Sequence, residues 1–231
     1  MEDYAYIQRN LAAVQADMAR VASDTGHAVP TLVAVTKSAS DEEVLALCAC
    51  GITDMAENRV PMFRARADLL AAHGFSPRLH LIGSLQTNKV KYIAAGAALI
   101  QSLDSPHLAA EIERQGARIG RRIPVLCEIN SGREAAKGGI LPEDCAAFLS
   151  SLSAFPHIAL MGLMTMGPAC ETEEEMRPYF RLTRLLCEEG ARAGRFAVPS
   201  PILSMGMSHS YRAATAEGAT MVRVGRRLFE K

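Results

Sequence analysis

The stretch TLVAVTK at residues 31–37 decides how the rest of the chain is read. Leu32 to Val35 are apolar without alternation, and the run ends in Thr36 and Lys37. Strands covered on both faces read this way, and they belong to parallel sheets flanked by helices. The same kind of segment recurs as ITDMAE (52–57), RLHLIG (78–83), ALIQSL (98–103), IPVLCEIN (123–130), HIALMGLM (157–164), PILSM (201–205) and TMVRVG (220–225). Longer amphipathic stretches separate them, several with readable helix starts. Ser40-Asp41-Glu42-Glu43 is a capping box. Ser105-Pro106 sets a cap residue before proline at the first helical position. Pro142-Glu143-Asp144 brings acids to the positive end of a helix dipole. Thr172-x-x-Glu175 is a further box, although Pro178 follows closely and opposes a helix there.

A helix is expected after each strand, with the segment behind the eighth left open. One more helix, over residues 1–22, precedes the first strand. Eight βα units in about 230 residues fit a compact (β/α)8 TIM barrel of the α/β class. The barrel spans 31–225 within a single domain of 1–231. An open doubly wound sheet would want G-x-G-x-x-G after its first strand, and that motif is absent.

Composition excludes several functions. The 25 Lys and Arg balance 25 Asp and Glu, so no net field draws the chain to nucleic acid or a membrane. No apolar run reaches the ~18 residues of a membrane span. The six cysteines form no C-x-x-C pair, which argues against a zinc site. With no secretory signal in the sequence, reduced thiols in a cytoplasmic protein are expected.

In a barrel, chemistry collects where strands end. Those ends supply Lys37, Glu57-Asn58, Gly83-Ser84, Asn130-Ser131, Met164-Thr165, Ser204-Met205-Gly206 and Arg223-Val224-Gly225. A partly desolvated Lys37 would attack carbonyls to form an imine; the bland alternative is a lysine that snorkels into solvent. Arg223, inside an apolar run, must find acceptors, either on a ligand or on a barrel acid such as Glu128. LSMGMS (203–208) leads into a helix, and Val224-Gly225-Arg226-Arg227 makes a second such turn. Barrels often hold phosphate between the loops after strands 7 and 8; an ordinary capped turn is the competing reading. His80 reads first as a core histidine, Met161 to Met166 as core filler, and His209 as a surface residue.

Together the segments LVAVTK (32–37), ENRV (57–60), LHLIGSLQTNKVKY (79–92), QSLDS (101–105), EINSGREAAKGG (128–139), GLMTMGP (162–168), LSMGMSHSYRAA (203–214) and GATMVRVG (218–225) resemble the pyridoxal phosphate homeostasis protein family. That resemblance implies a barrel like the N-terminal domain of alanine racemase, with pyridoxal 5′-phosphate held as an internal aldimine on Lys37. It implies that Arg223 faces the pyridine nitrogen, that Asn58 lies near the ring substituents and that His80 packs close to the ring. Ser204, Gly206 and Ser208, with the amides around Gly225, would hold the phosphate. The chain departs from the family pattern in three places. Residues 56–62 read AENRVPM instead of GEN-x-x-QE. Arg226 stands where a threonine is usual, and either pairs with the phosphate or points to solvent. His209 stands where an aspartate commonly follows SMGMS.

The resemblance leaves two functional readings. An arginine at the pyridine nitrogen leaves it unprotonated, so the ring is a weak electron sink. Racemisation also needs a base on each face of the substrate, and this sequence is expected to carry no second domain to supply one. The implied role is therefore non-catalytic: holding pyridoxal phosphate and delivering it, as a reversible aldimine, to pyridoxal-dependent apo-enzymes, from a monomer or weak homodimer. A weak amino-acid racemase is the alternative. An aldolase-type barrel, whose lysine would bind substrate directly, is a third reading from a different class.

Overall fold

The computed structural model describes residues 4–231; the first three residues of the expected N-terminal helix lie outside the described residues. Strands β1 (Thr31–Val35), β2 (Asp54–Glu57), β3 (Arg78–Leu81), β4 (Leu99–Leu103), β5 (Ile123–Glu128), β6 (Ile158–Met164), β7 (Ile202–Ser204) and β8 (Met221–Val224) each fall inside one of the apolar runs. They pair in parallel, in sequence order, and β1 closes on β8 with Val33 opposite Arg223. The fold is the closed (β/α)8 barrel that the eight runs imply, not an open sheet. At β1 and β3 the strand stops before the run does, and Lys37 and Gly83 beyond it line the mouth, as does Asn58 one residue past β2.

The helices are α1 (Ala5–Thr25), α2 (Asp41–Ala49), α3 (Val60–Ala72), α4 (Pro106–Ile119), α5 (Cys145–Ser151), α6 (Glu173–Arg192), α7 (Tyr211–Ala216) and α8 (Arg226–Phe229). The chain departs from expectation behind one strand: after β3 there is only a 3₁₀ segment, Thr87–Tyr92. Behind β8, which the sequence leaves open, the short α8 forms. The capping box of α2 is complete: Glu43 N–H donates to Ser40 Oγ at 3.2 Å and Ser40 N–H to Glu43 Oε2 at 2.8 Å. The Thr172 box is only half made. Thr172 Oγ1 accepts from Glu175 N–H at 3.4 Å, but the Glu175 carboxylate turns to Glu171 N–H at 3.1 Å. Pro178 sits inside α6 without ending it.

Helix α1 packs one face onto the barrel. Ile7, Leu11, Val14, Met18 and Ala22 recur at helical spacing and are buried, each large one contributing roughly 1.5–3 kcal/mol. Asp17 accepts from Tyr211 Oη at 2.7 Å and also from Arg212. Asn10 Nδ2 donates to Glu230 O at 2.7 Å. These contacts hold the last two βα units, which carry the SMGMS and VGRR turns, against the rest of the molecule.

Candidate functional site

A cavity of about 570 Å³ opens at the C-terminal mouth of the barrel, within the ~300–1,000 Å³ typical of small-molecule sites. Strand parity explains what faces it. Val33 and Val35 point into the barrel, packed with Ala56, Leu99, Leu126, Met164 and Met221. Two residues on, Lys37 falls on the same side and lines the cavity as an exposed side chain at its lip. Arg223 shares the parity of Met221 and lines the cavity from below, 3% exposed.

Arg223 does not pair with Glu128. Its Nη1 donates to Ser204 Oγ at 2.7 Å and its Nη2 to the Thr165 carbonyl at 3.0 Å. Thr165 is itself fixed, donating to Ile129 O at 2.9 Å. Burial pulls the Arg223 pKa down to about 10, against the opposing field of Glu128, so the guanidinium stays charged at neutral pH. Two of its five N–H donors are used in these bonds; the others are available to a ligand.

The same hydrogen-bond chain continues down the barrel. Ser204 Oγ donates to Gln101 Oε1 at 2.7 Å, and Gln101 Nε2 lies 3.0 Å from His80 Nδ1. The donating amide makes Nδ1 the acceptor, leaving the proton on Nε2. Nε2 faces Asp54 Oδ1 at 3.2 Å, close enough for attraction but poorly aligned as a hydrogen bond. Arg78 Nη2 donates to Asp54 Oδ2 at 2.7 Å. Burial would raise the Asp54 pKa, but contacts with His80, Arg78 and Thr53 outweigh it and hold the group at about 2.

Of the residues singled out in the sequence, Lys37, Asn58, Ser208, Arg223, Gly225 and Arg226 all line the cavity. His80, Ser204 and Gly206 do not. His80 and Ser204 are one layer lower, spent on the chain beneath Arg223. Gly206 is buried at φ +87°, its carbonyl accepting from Arg223 N–H at 3.1 Å; a Cβ there would meet Ala214 Cβ at 2.4 Å. The turn thus requires glycine for packing against α7.

The two loops expected to hold an anion are tied together, Gly225 N–H donating to Ser208 Oγ at 3.2 Å. That amide is engaged within the loop pair, while the Ser208 hydroxyl keeps its own proton free to donate. Arg226 is exposed at the rim. Asn58 is held from behind, since a Cβ on Gly83 would lie 2.1 Å from the Asn58 carbonyl oxygen; only glycine lets the β3 loop approach so closely.

One side of the cavity was not assigned to the site from the sequence. Asp104, Glu128, Lys137, Met166, Pro168 and Met176 form it. Glu128 carried a signal, the inward parity it shares with Leu126. Asp104 and Lys137 lie in the quoted QSLDS and EINSGREAAKGG segments, but nothing in their spacing shows that those segments meet.

Comparison with known proteins agrees with this geometry. The family model of the alanine racemase N-terminal domain matches residues 9–230, so fold and site define a barrel of the alanine racemase N-terminal-domain class. A pyridoxal phosphate homeostasis protein of Aquifex aeolicus (strain VF5) is 39% identical over 86% of this chain and 85% of its own length. The chain belongs to the pyridoxal phosphate homeostasis protein family. Among solved structures, a protein from Bifidobacterium adolescentis superposes with a TM-score of 0.91 at 29% identity, over 99% of this chain and 97% of that one. PipY of Synechococcus elongatus PCC7942 with PLP bound gives a TM-score of 0.83 at 29% identity, over 97% of this chain and all (100%) of PipY.

Proposed function

We propose that this chain holds pyridoxal 5′-phosphate in the mouth cavity through Lys37 and delivers it to recipient apo-enzymes, serving pyridoxal phosphate homeostasis. One observation carries the reading: a primary amine, a buried arginine with spare donors and two tied loops share one cavity of suitable size. The names of the Aquifex relative and of the PLP-bound PipY structure point the same way. When bound, the cofactor supplies an aldehyde that condenses reversibly with a primary amine.

Lys37 supplies that amine at the lip, where a second amine can reach it. Arg223 donates to the ring nitrogen and, having no acceptor, leaves it unprotonated. Electron withdrawal from a bound amino acid is then weak, which favours holding over racemisation. Asn58 borders the ring substituents. Ser208 donates its hydroxyl proton to the phosphate, Arg226 adds charge, and Gly225 leaves room beside Val35, whose carbonyl oxygen would lie 3.0 Å from a Cβ there. Ser204 and His80 act through Arg223 by fixing its position. No described helix is long and apolar enough to cross a membrane, and the six free cysteines suit the cytoplasm, where we place the protein as a monomer or weak homodimer.

Two measurements test the reading. Lys37→Ala should keep the wild-type circular dichroism spectrum and lose all covalently retained cofactor; retention unchanged would overturn the proposal. L-alanine incubated with the loaded protein should keep its optical purity, and turnover well above that of free cofactor would favour the racemase alternative.

A further inference from the structure

The cavity has an acidic wall that holding the cofactor does not use. Glu128, at the end of β5, is 8% exposed and lines the cavity, and its side-chain carboxyl has no hydrogen-bond or ion-pair partner among the described residues. Asp104, one residue past β4, is half-buried, lines the same cavity and is likewise without a partner among them. Gly138 leaves space above it, since a Cβ there would lie 3.1 Å from Asp104 Oδ2.

Buried carboxyls left unpaired are costly, and the cations nearby do not relieve these two. Arg223 is bonded to Ser204 and Thr165. Lys137 is committed to Glu134 at 2.5 Å and to the Gly167 carbonyl at 3.2 Å. Burial, and then the neighbouring Asp104, push the Glu128 carboxyl up to about 7, with Arg223 pulling the other way. Such a group takes up and gives back a proton near neutrality. Met166, Pro168 and Met176 beside it are apolar. Two acids on an apolar wall match a compact cation on a short hydrocarbon stem.

We propose that Asp104 and Glu128 form a receptor for the ammonium group of a small primary amine, held beside Lys37 as the ligand that displaces it from the cofactor. This rests on the holding role proposed above and deepens it by naming the class of ligand that drives release. The bookkeeping closes without an added reagent. The incoming ammonium gives one proton to the Glu128 carboxylate. Its nitrogen forms the new bonds to the aldehyde carbon as those to the Lys37 nitrogen break. Its two remaining protons pass to the departing Lys37 nitrogen, which then takes the third back from Glu128 and leaves as ammonium.

The test uses the full chain free of cofactor, titrated calorimetrically with n-propylammonium chloride and with propan-1-ol at about pH 8, where the alkylammonium is still charged. The ammonium should bind at least about tenfold more tightly than the alcohol, the ratio expected of charge-assisted hydrogen bonds. Glu128→Gln and Asp104→Asn should each remove most of that preference. On the cofactor-loaded chain, Glu128→Gln should slow the propylamine-driven loss of the borohydride-trappable adduct on the Lys37 peptide by about tenfold. Equal affinity of the wild type for ammonium and alcohol overturns the receptor whether or not either variant folds. Displacement by Glu128→Gln at the wild-type rate overturns the role in release. Failure of the wild type to take up cofactor is a separate outcome, which sinks the holding role itself.

Discussion

Beneath the mouth cavity, and in the loops after β7 and β8, polar groups are locked by partners. Arg223 is bonded to Ser204 and Thr165, Ser204 to Gln101, Gln101 to His80, and Ser208 to Gly225. On the cavity wall at the ends of β4 and β5, the carboxyls of Asp104 and Glu128 have none among the described residues. The difference separates two uses of buried polarity. A saturated network fixes one geometry and strengthens each bond in its low-dielectric surroundings, which suits a surface that must present the same donors every time. Unsatisfied acids destabilise the empty protein and are relieved only by something that arrives.

The sharpest way to break this contrast is to open the saturated side from beneath. His80→Leu would strip the contact at Asp54 Oδ1 and the acceptor for Gln101, and should cost about 3 kcal/mol at neutral pH, measured by urea unfolding. The acid limb reports on the same network. Asp54 is lowered from 3.8 to about 2, so its contribution to stability is present above pH 3.8 and lost as pH falls through about 2. The variant should therefore lose less stability on acidification than the wild type. A wild-type acid limb in His80→Leu would contradict the network.

The acidic side should respond in the opposite sense. Glu128 is raised from 4.5 to about 7. Its favourable protonated form is fully present below pH 4.5 and is lost as pH rises through about 7. In the cofactor-free chain, Glu128→Gln should gain on the order of 3 kcal/mol at pH values above 7, the gain shrinking toward zero below 4.5. A variant less stable than the wild type in mild alkali would mean that Glu128 has a partner after all.

The smallest effect belongs to the rim. Arg226 is exposed, so Arg226→Gln should change stability by no more than about 0.5 kcal/mol. Cofactor affinity should fall roughly two- to fivefold, and the deficit should fade as salt is added. An effect as large as that of His80→Leu would place Arg226 inside the network.

The barrel was legible because several of its strands are short, continuously apolar runs, and because turn chemistry such as the Ser40–Glu43 box stands between them. The absence of a full helix after β3 was not legible, since residues 87–92 are polar enough to continue as one. At the site, a period of two says that His80, Ser204 and Arg223 all point inward, but not at what height. Strands are staggered around a barrel, so His80 pairs level with Leu99 and Ala56, while Lys37 lies two residues beyond Val35, the partner of Ala56 on β1. One residue reaches the mouth and the other is a layer beneath it. The acidic wall was hidden for a related reason: Asp104 and Glu128 lie at the ends of adjacent strands, and only the folded chain shows that no described side chain bonds to either carboxyl.

The covalent role of Lys37 is tested most directly by reducing the cofactor-incubated chain with borohydride and mapping the product by peptide mass analysis. The expected result is a yellow solution before reduction and a phosphopyridoxyl adduct on the peptide containing Lys37 after it. A colourless protein, or an adduct confined to other lysines, would contradict that role.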